Sequence, residues 1–301
     1  VARGAGKVLE SLDTLRKGNF LRHPAANIPM YGMISAHLAV LAIEGDPGVP
    51  DLSAEKAELL LFLEASLRTM FGPEGYTEED IGYGTSMACL ISFVAEPARR
   101  AGLFDAYQEC PGYTRFGRAL LYFVQPWGRF LSNTGDYAAD LGSGNLMFLF
   151  PRLAQETRDP TLLWMYGSLQ NPVGASGPMD IKAARRALPV LRLAPGYEVP
   201  VNAFTLFALD AVRRPVHPSR MKLPTAFRDS QRGIVSLRSD WTREATFVVF
   251  DGSQRSPSAQ GHAHDSGGHF SLSALREYFA IDTGRSNSEQ DQHNVVLVDG
   301  K

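Results

Sequence analysis

This sequence has only two cysteines, no long hydrophobic run and no large excess of either charge. Cys89 and Cys110 are its only cysteines, and neither lies in a C-x-x-C motif. The apolar helical surroundings of Cys89 are typical of a buried thiol. No apolar run reaches the length that a membrane-spanning helix requires. The sequence therefore indicates neither a disulfide framework nor a membrane span.

The net charge is −2 over 301 residues, and the sequence contains no basic run. Nucleic-acid binding is favoured by clustered positive charge, so we expect no nucleic-acid partner. Basic residues that line one cleft would leave the overall charge unchanged, so an acidic sugar polymer stays compatible with this composition.

Neither end of the sequence has the pattern of a targeting signal. The first residues, VARGAGKVLESLD, have the pattern of an amphipathic helix, whereas a signal peptide has a charged start and an apolar centre. The sequence lacks an initiator Met and stops at residues 299–301, in a turn-like segment after a strand-like run. We expect both ends to be truncated, and the compartment cannot be read from them.

Two kinds of pattern divide the chain near residue 215. Residues 1–215 have the apolar spacing of successive helices, whereas residues 216–301 contain short runs rich in Val, Phe and Ile. The Pro- and Arg-containing stretch 213–224 is typical of a linker. We predict an α+β, multidomain chain in which stacked helical hairpins or an incomplete α/α toroid precede an antiparallel β domain. Because so few strands leave an open edge, we expect that β domain to be truncated.

The same patterns give approximate bounds for each element. Beyond a first helix near the start, helices are expected at 34–43, 54–71, 85–96, 113–123, 144–156, 161–166, 181–188 and 204–212. Strands are expected at 233–238, 245–251, 269–275, 278–282 and 294–298.

Four of the seven histidines, His262, His264, His269 and His293, fall within residues 261–294. On a strand, His262 and His264 would point to the same face because side chains alternate. Asp282 follows an alternating run, and His293 precedes another strand-like run. Imidazole and carboxylate groups suit a divalent metal, and zinc usually takes such a set in tetrahedral geometry. The stretch therefore predicts a metal site.

This stretch also resembles the central motif of the heparinase II/III-like polysaccharide lyases, which include heparinase II-like and alginate lyase-like enzymes. Their β-sandwich domain carries H-x-H-x-D-x-G-x-F, then D-x-G, then H-N, and this chain has similar residues at 262–270, 282–284 and 293–294. One departure is that Asp265 directly follows His264, which leaves Asp265 without an assigned role. The resemblance implies that His264, Asp282 and His293 bind zinc. It also implies that His262 is catalytic.

A second resemblance lies in the helical part. Residues 75–84, GYTEEDIGYG, are similar to the family segment D-G-x-y-x-E-G-x-G-Y, which supplies a catalytic tyrosine. Tyr83 fits that tyrosine best, and Tyr76 is the second choice and a candidate substrate-binding residue. Asp80 stands where the family often has Gly. Asn27 resembles an asparagine that opens a toroid helix and holds the substrate carboxylate.

Two further positions belong to this resemblance in a weaker way. Residues 133–136 resemble a G-D loop of the toroid, to which we assign no role, and Arg255 is a candidate for binding an anionic sugar. The architecture that the resemblance implies is a helical toroid followed by a β-sandwich. From the resemblance alone, we expect a periplasmic or secreted protein.

The implied chemistry is β-elimination at a uronate in an acidic polysaccharide or oligosaccharide. Asn27 and His262 would stabilise the negative charge that develops on the carboxylate side. Tyr83 would remove the C5 proton, which requires neighbours that favour its phenolate, since an ordinary tyrosine pKa is near 10. Tyr83 or His262 would then return a proton to O4. Zinc would support the loop that presents His262, although three protein ligands also allow a Lewis-acid role.

Two other functions stay open at this stage. In the first, a metal-dependent hydrolase or oxygenase-like β domain uses the metal at His264, Asp282 and His293 to activate water or dioxygen. In the second, a non-catalytic glycan-binding or assembly protein uses the same residues as a structural zinc clip. The lyase is favoured because neither alternative needs a tyrosine at position 83. The sequence leaves the particular uronate and the oligomeric state open.

Overall fold

The computed structural model describes residues 2–18, 23–128, 130–132, 134–136, 149–170, 190–194, 197–200, 214–253, 262, 264, 266–282 and 289–296. Within these residues the helices are α1 (Ala2–Lys17), α2 (Asn27–Ile43), α3 (Ser53–Met70), α4 (Ile81–Arg100), α5 (Ala106–Glu109), α6 (Pro111–Phe123), α7 (Leu149–Thr157) and α8 (Pro160–Gln170). The strands are β1 (Val190–Ala194), β2 (Tyr197–Pro200), β3 (Ala226–Asp229), β4 (Ile234–Arg238), β5 (Phe247–Asp251), β6 (His269–Ala274) and β7 (Glu277–Ala280).

Helices that are neighbours in the sequence pack against one another around an apolar core. Helix α2 contacts α1, α3 and α4, and it buries Met30, Met33 and Val40 among them. Asp51 fixes the start of α3 by accepting a hydrogen bond from the Ser53 amide at 3.0 Å. Pro111 opens α6, where its fixed φ suits a first helical turn.

Strands β3 to β7 form one antiparallel sheet in sequential order, so each strand pairs with the next one along the chain. Burial alternates along β4, β5 and β6. In β5, Phe247, Val249 and Asp251 face inward, whereas Phe250 faces outward and lies opposite Phe270 of β6. This alternation is the period of a sheet with one covered face.

The inner face of the sheet packs on α6 and on the segment that follows it. Ser236 donates a hydrogen bond to the Tyr122 carbonyl at 2.6 Å, and Arg238 donates one to the Val124 carbonyl at 2.8 Å. The Ser132 and Ser271 hydroxyls meet at 2.7 Å. Buried residues of both parts form one continuous hydrophobic core. The helical part and the sheet are therefore joined by packing and by satisfied polar groups.

The α+β class is confirmed, and most of the described elements lie close to their expected places. The boundary between domains 1–215 and 216–301 stays a prediction. The expected helices at 181–188 and 204–212 lie outside the described residues.

Three expectations were wrong. Residues 1–215 are not purely helical, because β1 and β2 form an antiparallel hairpin, and Pro195 and Gly196 stand between them in the sequence. Strand β3 falls at 226–229, a segment that the prediction left without an element after the linker. Residues 294–296 do not form a strand, since they follow the 3₁₀ turn Gln290–Gln292 as irregular chain.

Candidate functional site

The first turn of α4 presents Tyr83. Asp80 is the N-cap of α4, and its Oδ1 accepts a hydrogen bond from the Tyr83 amide at 2.5 Å. The Thr77 hydroxyl donates to the Asp80 carbonyl at 2.7 Å. A Cβ on Gly84 would lie 2.3 Å from the Thr77 side chain, so only glycine fits there. The tight 77–84 segment therefore fixes the half-buried Tyr83 on the helix start.

A loop of the helical part, residues 134–136, touches both Asp80 and His262. A Cβ on Gly135 would lie 2.7 Å from the Asp80 Cβ and 2.7 Å from the His262 carbonyl oxygen. The Asp136 amide donates to that same carbonyl at 3.3 Å. Glycine at 135 thus permits the close approach that brings Asp136 to the histidines.

The Asp136 carboxylate is shared by two histidines. Its Oδ2 lies 2.8 Å from Nδ1 of His262, and its Oδ1 lies 2.8 Å from Nε2 of His264. Burial raises the pKa of Asp136, but the hydrogen bonds from the two rings outweigh burial and hold that pKa below its ordinary value. Asp136 is therefore ionised at neutral pH and accepts from both rings.

The aromatic ring of Tyr83 stacks on the imidazole of His262. The two centroids are 3.6 Å apart, and the ring planes differ by 9°. Tyr83 comes from the helical part and His262 from the segment before β6. The two groups that the sequence named as acid and base are therefore side by side at the junction of the two parts.

His264, Asp282 and His293 form a buried group with ligand atoms that all lie within 4.8 Å of one another. Nδ1 of His293 is 3.0 Å from Oδ2 of Asp282, and Nδ1 of His264 is 3.9 Å from Oδ1 of Asp282. Among the described residues, no group forms a hydrogen bond with Nδ1 of His264 or Nε2 of His293. Buried nitrogens without partners beside a carboxylate fit a zinc-sized divalent ion, so this donor set suits the group that the resemblance implies.

His269 lies beside this buried group, and the hydrogen bond that its ring accepts indicates a supporting role. Nδ1 of His269 accepts from the Asn294 amide at 3.2 Å, so the proton of a neutral ring lies on Nε2. That Nε2 is 3.6 Å from Oδ2 of Asp282. Burial lowers the pKa of His269, which favours the neutral ring. His269 therefore faces Asp282 with a donor and has no lone pair to offer a metal there.

Asn294 attaches the neighbouring His293 to the sheet. Its side-chain amide donates to the carbonyls of Phe270, at 3.0 Å, and Ile281, at 2.9 Å. The Phe270 amide donates to the Asn294 carbonyl at 3.3 Å. Three hydrogen bonds to β6 and to the end of β7 thus hold His293 in place without a strand.

Glu79 is a buried acid beside this site. Burial is the largest cause that raises its pKa to about 8, the nearby Asp80 and Asp136 carboxylates add to the shift, and the backbone amide of Asn27 opposes it. Within the described part of the chain, neither oxygen of Glu79 has a hydrogen-bond partner of normal geometry. Glu79 is therefore protonated through most of the neutral range.

The other predicted site residues have different places. Asn27 is the first residue of α2 and lies beside Glu79, and its Oδ1 accepts from the Ile28 amide at 2.8 Å. Tyr76 is 4% exposed, and its hydroxyl meets the Thr134 hydroxyl at 2.6 Å. Tyr76 thus supports the loop that carries Asp136, and its substrate-binding role stays a prediction. Tyr76 also borders a polar cavity of about 470 Å³. Arg255 lies outside the described residues.

Neither His262 nor His264 is in a strand, so strand alternation does not bring their side chains together. Their rings converge on one point since both donate to Asp136. The sequence assigned no role to Asp136 or Glu79. The Gly-Asp pair at 135–136 was visible, but Asp136 and His262 are 126 positions apart, a pairing that no local pattern encodes.

Comparisons with known proteins identify a fold. No family model matches the chain, and no curated protein matches it. A crystal structure of heparinase III is similar at a TM-score of 0.58 and 13% identity, over 90% of this chain and 39% of that one. A heparinase III with methylated lysines has a TM-score of 0.55 at 12% identity, over 91% and 36%. A heparan sulfate lyase from Pedobacter heparinus has a TM-score of 0.52 at 15% identity, over 86% and 33%.

Because the sequence identities are this low, the structural similarity shows a polysaccharide lyase-like fold and nothing finer. The chain spans a third to two fifths of the length of those proteins. Within the described residues, no helix is long and apolar enough to cross a membrane.

The raised pKa of Glu79 predicts a pH dependence of stability. Its folded-state pKa of about 8 lies above the ordinary value of 4.5, so its contribution is fully present below pH 4.5 and is lost as pH rises to about 8. We expect Glu79→Gln to become more stable relative to the wild type by a few kcal/mol, at about 1.4 kcal/mol per pKa unit, as pH rises from 5 to 8. Thermal melts of both proteins across this range measure the difference.

Glu74→Gln is the matched control, because Glu74 is an exposed carboxylate in the same loop. A stability difference between Glu79→Gln and wild type that stays constant from pH 5 to pH 8 would show that Glu79 is not a buried neutral acid.

Proposed function

We propose that this chain carries the catalytic centre of a polysaccharide lyase that cleaves a uronate-containing acidic glycan by β-elimination. The observation that carries the proposal is the stacked pair of Tyr83 and His262, with His262 held by Asp136. A tyrosine and an oriented imidazole in contact place two groups that can accept or donate a proton at one point. The polysaccharide lyase-like fold supports the same conclusion.

The reaction requires three tasks of the chain. The phenolate of Tyr83 takes the C5 proton, the electron pair of the C5–H bond forms the C4–C5 double bond, and the C4–O4 bond breaks. Tyr83 then gives its proton to the departing O4, or His262 gives one as an imidazolium. Asn27 donates amide hydrogen bonds to the uronate carboxylate, which stabilises the charge that develops in the transition state.

The charge around the site fits an anionic substrate better when Glu79 is protonated. Glu79 lies beside Asn27 and Asp136, and its pKa of about 8 keeps it neutral at pH 7. Asp136 keeps its negative charge, which the hydrogen bonds from His262 and His264 stabilise. The substrate carboxylate therefore meets fewer negative charges than the number of acidic side chains around the site would give.

Zinc is the metal that we propose for His264, Asp282 and His293. When bound, it would supply a positive charge that fixes these three side chains relative to one another. His264 would then hold Asp136, and through it His262, in one orientation. His269 would hold Asp282 in the same way.

Burial of the metal ligands bears on the hydrolase alternative. The side chains of Asp282 and His293 are 0% exposed, and that of His264 is 1% exposed. A hydrolytic metal needs a bound water that faces the substrate. The closed surroundings of these three side chains support a structural ion. The non-catalytic glycan-binding alternative lacks a reason for the Tyr83 stack.

We also infer that the sheet is one half of a β-sandwich. Leu237, Phe250 and Phe270 point away from the helices, and more than 40% of each residue is exposed. Apolar residues of this size on one sheet face are typical of a surface that another layer covers. A periplasmic or secreted location is part of the proposal on the strength of the family resemblance alone.

Ultraviolet absorbance of the conjugated, unsaturated uronate tests the proposal directly. Mixing the protein with a panel of acidic polysaccharides and oligosaccharides should give a rise with one class of substrate. Tyr83→Phe and His262→Ala should each lower the rate by about 10² to 10⁴, the usual contribution of general acid–base catalysis. Tyr31→Phe, on the exposed face of α2, should leave the rate unchanged.

No rise on any substrate, from folded protein with zinc bound, would contradict the lyase. Equal rates for wild type and both site variants would contradict the roles of Tyr83 and His262.

Zinc content tests the metal site separately. Asp282→Asn replaces a charged ligand by a neutral amide, so we expect it to lower zinc affinity and the melting temperature together. Asp291→Asn, which changes an exposed carboxylate two residues before His293, is the control. Elemental analysis after dialysis should give one zinc per chain for wild type and Asp291→Asn, and much less for Asp282→Asn. Equal zinc in all three would show that Asp282 is not a ligand.

A further inference from the structure

Asp136 lies between two histidines that need opposite arrangements of their ring protons. A metal ligand at Nδ1 of His264 needs a lone pair on that atom, so its proton must be on Nε2. A ring that is held through Nδ1, as His262 is, presents Nε2 to the site. Asp136 contacts Nε2 of His264 and Nδ1 of His262, each at 2.8 Å.

We propose that Asp136 is a positioning residue that sets complementary tautomers in His262 and His264 and thereby ties the catalytic imidazole to the metal site. An ionised carboxylate only accepts hydrogen bonds, so both facing nitrogens must donate. His264 then carries its proton on Nε2 and offers Nδ1 to the metal. His262 carries its proton on Nδ1 and turns Nε2 toward the substrate. The catalytic consequence rests on the proposed function, whereas the tautomers do not.

The backbone around Asp136 holds this carboxylate in one place. The Asp136 amide donates to the His262 carbonyl at 3.3 Å, so Asp136 and His262 are joined through both main chain and side chain. Gly135 packs against Asp80, the residue that caps the helix of Tyr83. The Asp136 side chain is 11% exposed, so little water competes for its oxygens. One loop thus fixes Tyr83, His262 and His264 relative to one another.

The chemistry of asparagine makes Asp136→Asn a sharp test. An amide has one acceptor oxygen and one donor nitrogen, so it cannot accept from both rings. With zinc bound at Nδ1, His264 keeps its proton on Nε2 and donates a hydrogen bond to the amide oxygen of the variant side chain. The amide nitrogen then faces Nδ1 of His262, which must accept. We therefore expect His262 to change to the tautomer with its proton on Nε2, while His264 does not change.

The measurement is nitrogen-15 NMR of the zinc-loaded full chain with labelled histidine, at a pH where the rings are neutral, because Nδ1 and Nε2 shifts identify the tautomer. The His262 signal is assigned by its loss in His262→Ala. Thr134→Val is the matched control, since it removes the Tyr76 hydrogen bond from the same loop and keeps the carboxylate. It should lower stability and leave both tautomers as in wild type.

The expected result is a proton on Nδ1 of His262 in wild type and Thr134→Val, and on Nε2 in Asp136→Asn. Zinc affinity in Asp136→Asn should fall by about 10- to 100-fold, the usual effect of losing a partner of a metal ligand. A loss that falls mainly on kcat, with KM little changed, should accompany the new tautomer.

A wild-type His262 with its proton on Nε2, or an Asp136→Asn variant with an unchanged His262, would overturn the assignment. The expected tautomers in a protein without lyase activity would contradict the proposed function and support the role of Asp136.

Discussion

The shared carboxylate of Asp136 is the constraint on which the rest of the site depends. It belongs to the helical part, and it accepts hydrogen bonds from two histidines that precede the sheet strand β6. A carboxylate that is removed from water is costly unless it is satisfied, so this loop and these histidines stabilise one another's positions. The candidate metal group extends the same connection to His293 and Asp282.

Around this point the two parts of the chain are joined in a way that suits a fixed active site. The inner face of the sheet also contains polar side chains. Ser236 and Arg238 donate hydrogen bonds to backbone carbonyls at the end of α6 and just after it. A joint held by such directional bonds fixes the relative position of its two sides more closely than apolar contact alone. Tyr83 from one part and His262 from the other can therefore stack with nearly parallel rings.

The sequence predicted the composition of the site better than its geometry. The clustered histidines and Asp282 predicted a metal site, and the family resemblance named His264, Asp282 and His293 as its ligands. Strand alternation would place His262 and His264 on one face, but the structure brings them together through a shared hydrogen-bond acceptor instead. Asp136 was missed because its meaning depends on a contact 126 positions away. Glu79 was missed because its raised pKa comes from burial, which no local pattern encodes.

The fold shows the same limit. Helices such as α3 and α6 were predicted from apolar periodicity, and β4 to β7 were predicted from short Val- and Phe-rich runs. Strand β3 was missed because the short sequence Ala-Phe-Arg-Asp has little strand signal of its own, and pairing with β4 decides its conformation.

The mass of the reaction products tests the central claim most directly. If Tyr83 and His262 carry out an elimination, the products of each cleavage sum to the mass of the substrate, and the new non-reducing end carries the double bond. Hydrolysis at a metal-bound water would add one water at every cleavage. Mass spectrometry of a digest of a defined acidic oligosaccharide should therefore show pairs of fragments whose masses sum to the mass of the substrate. Pairs whose masses sum to the substrate plus one water would contradict the lyase.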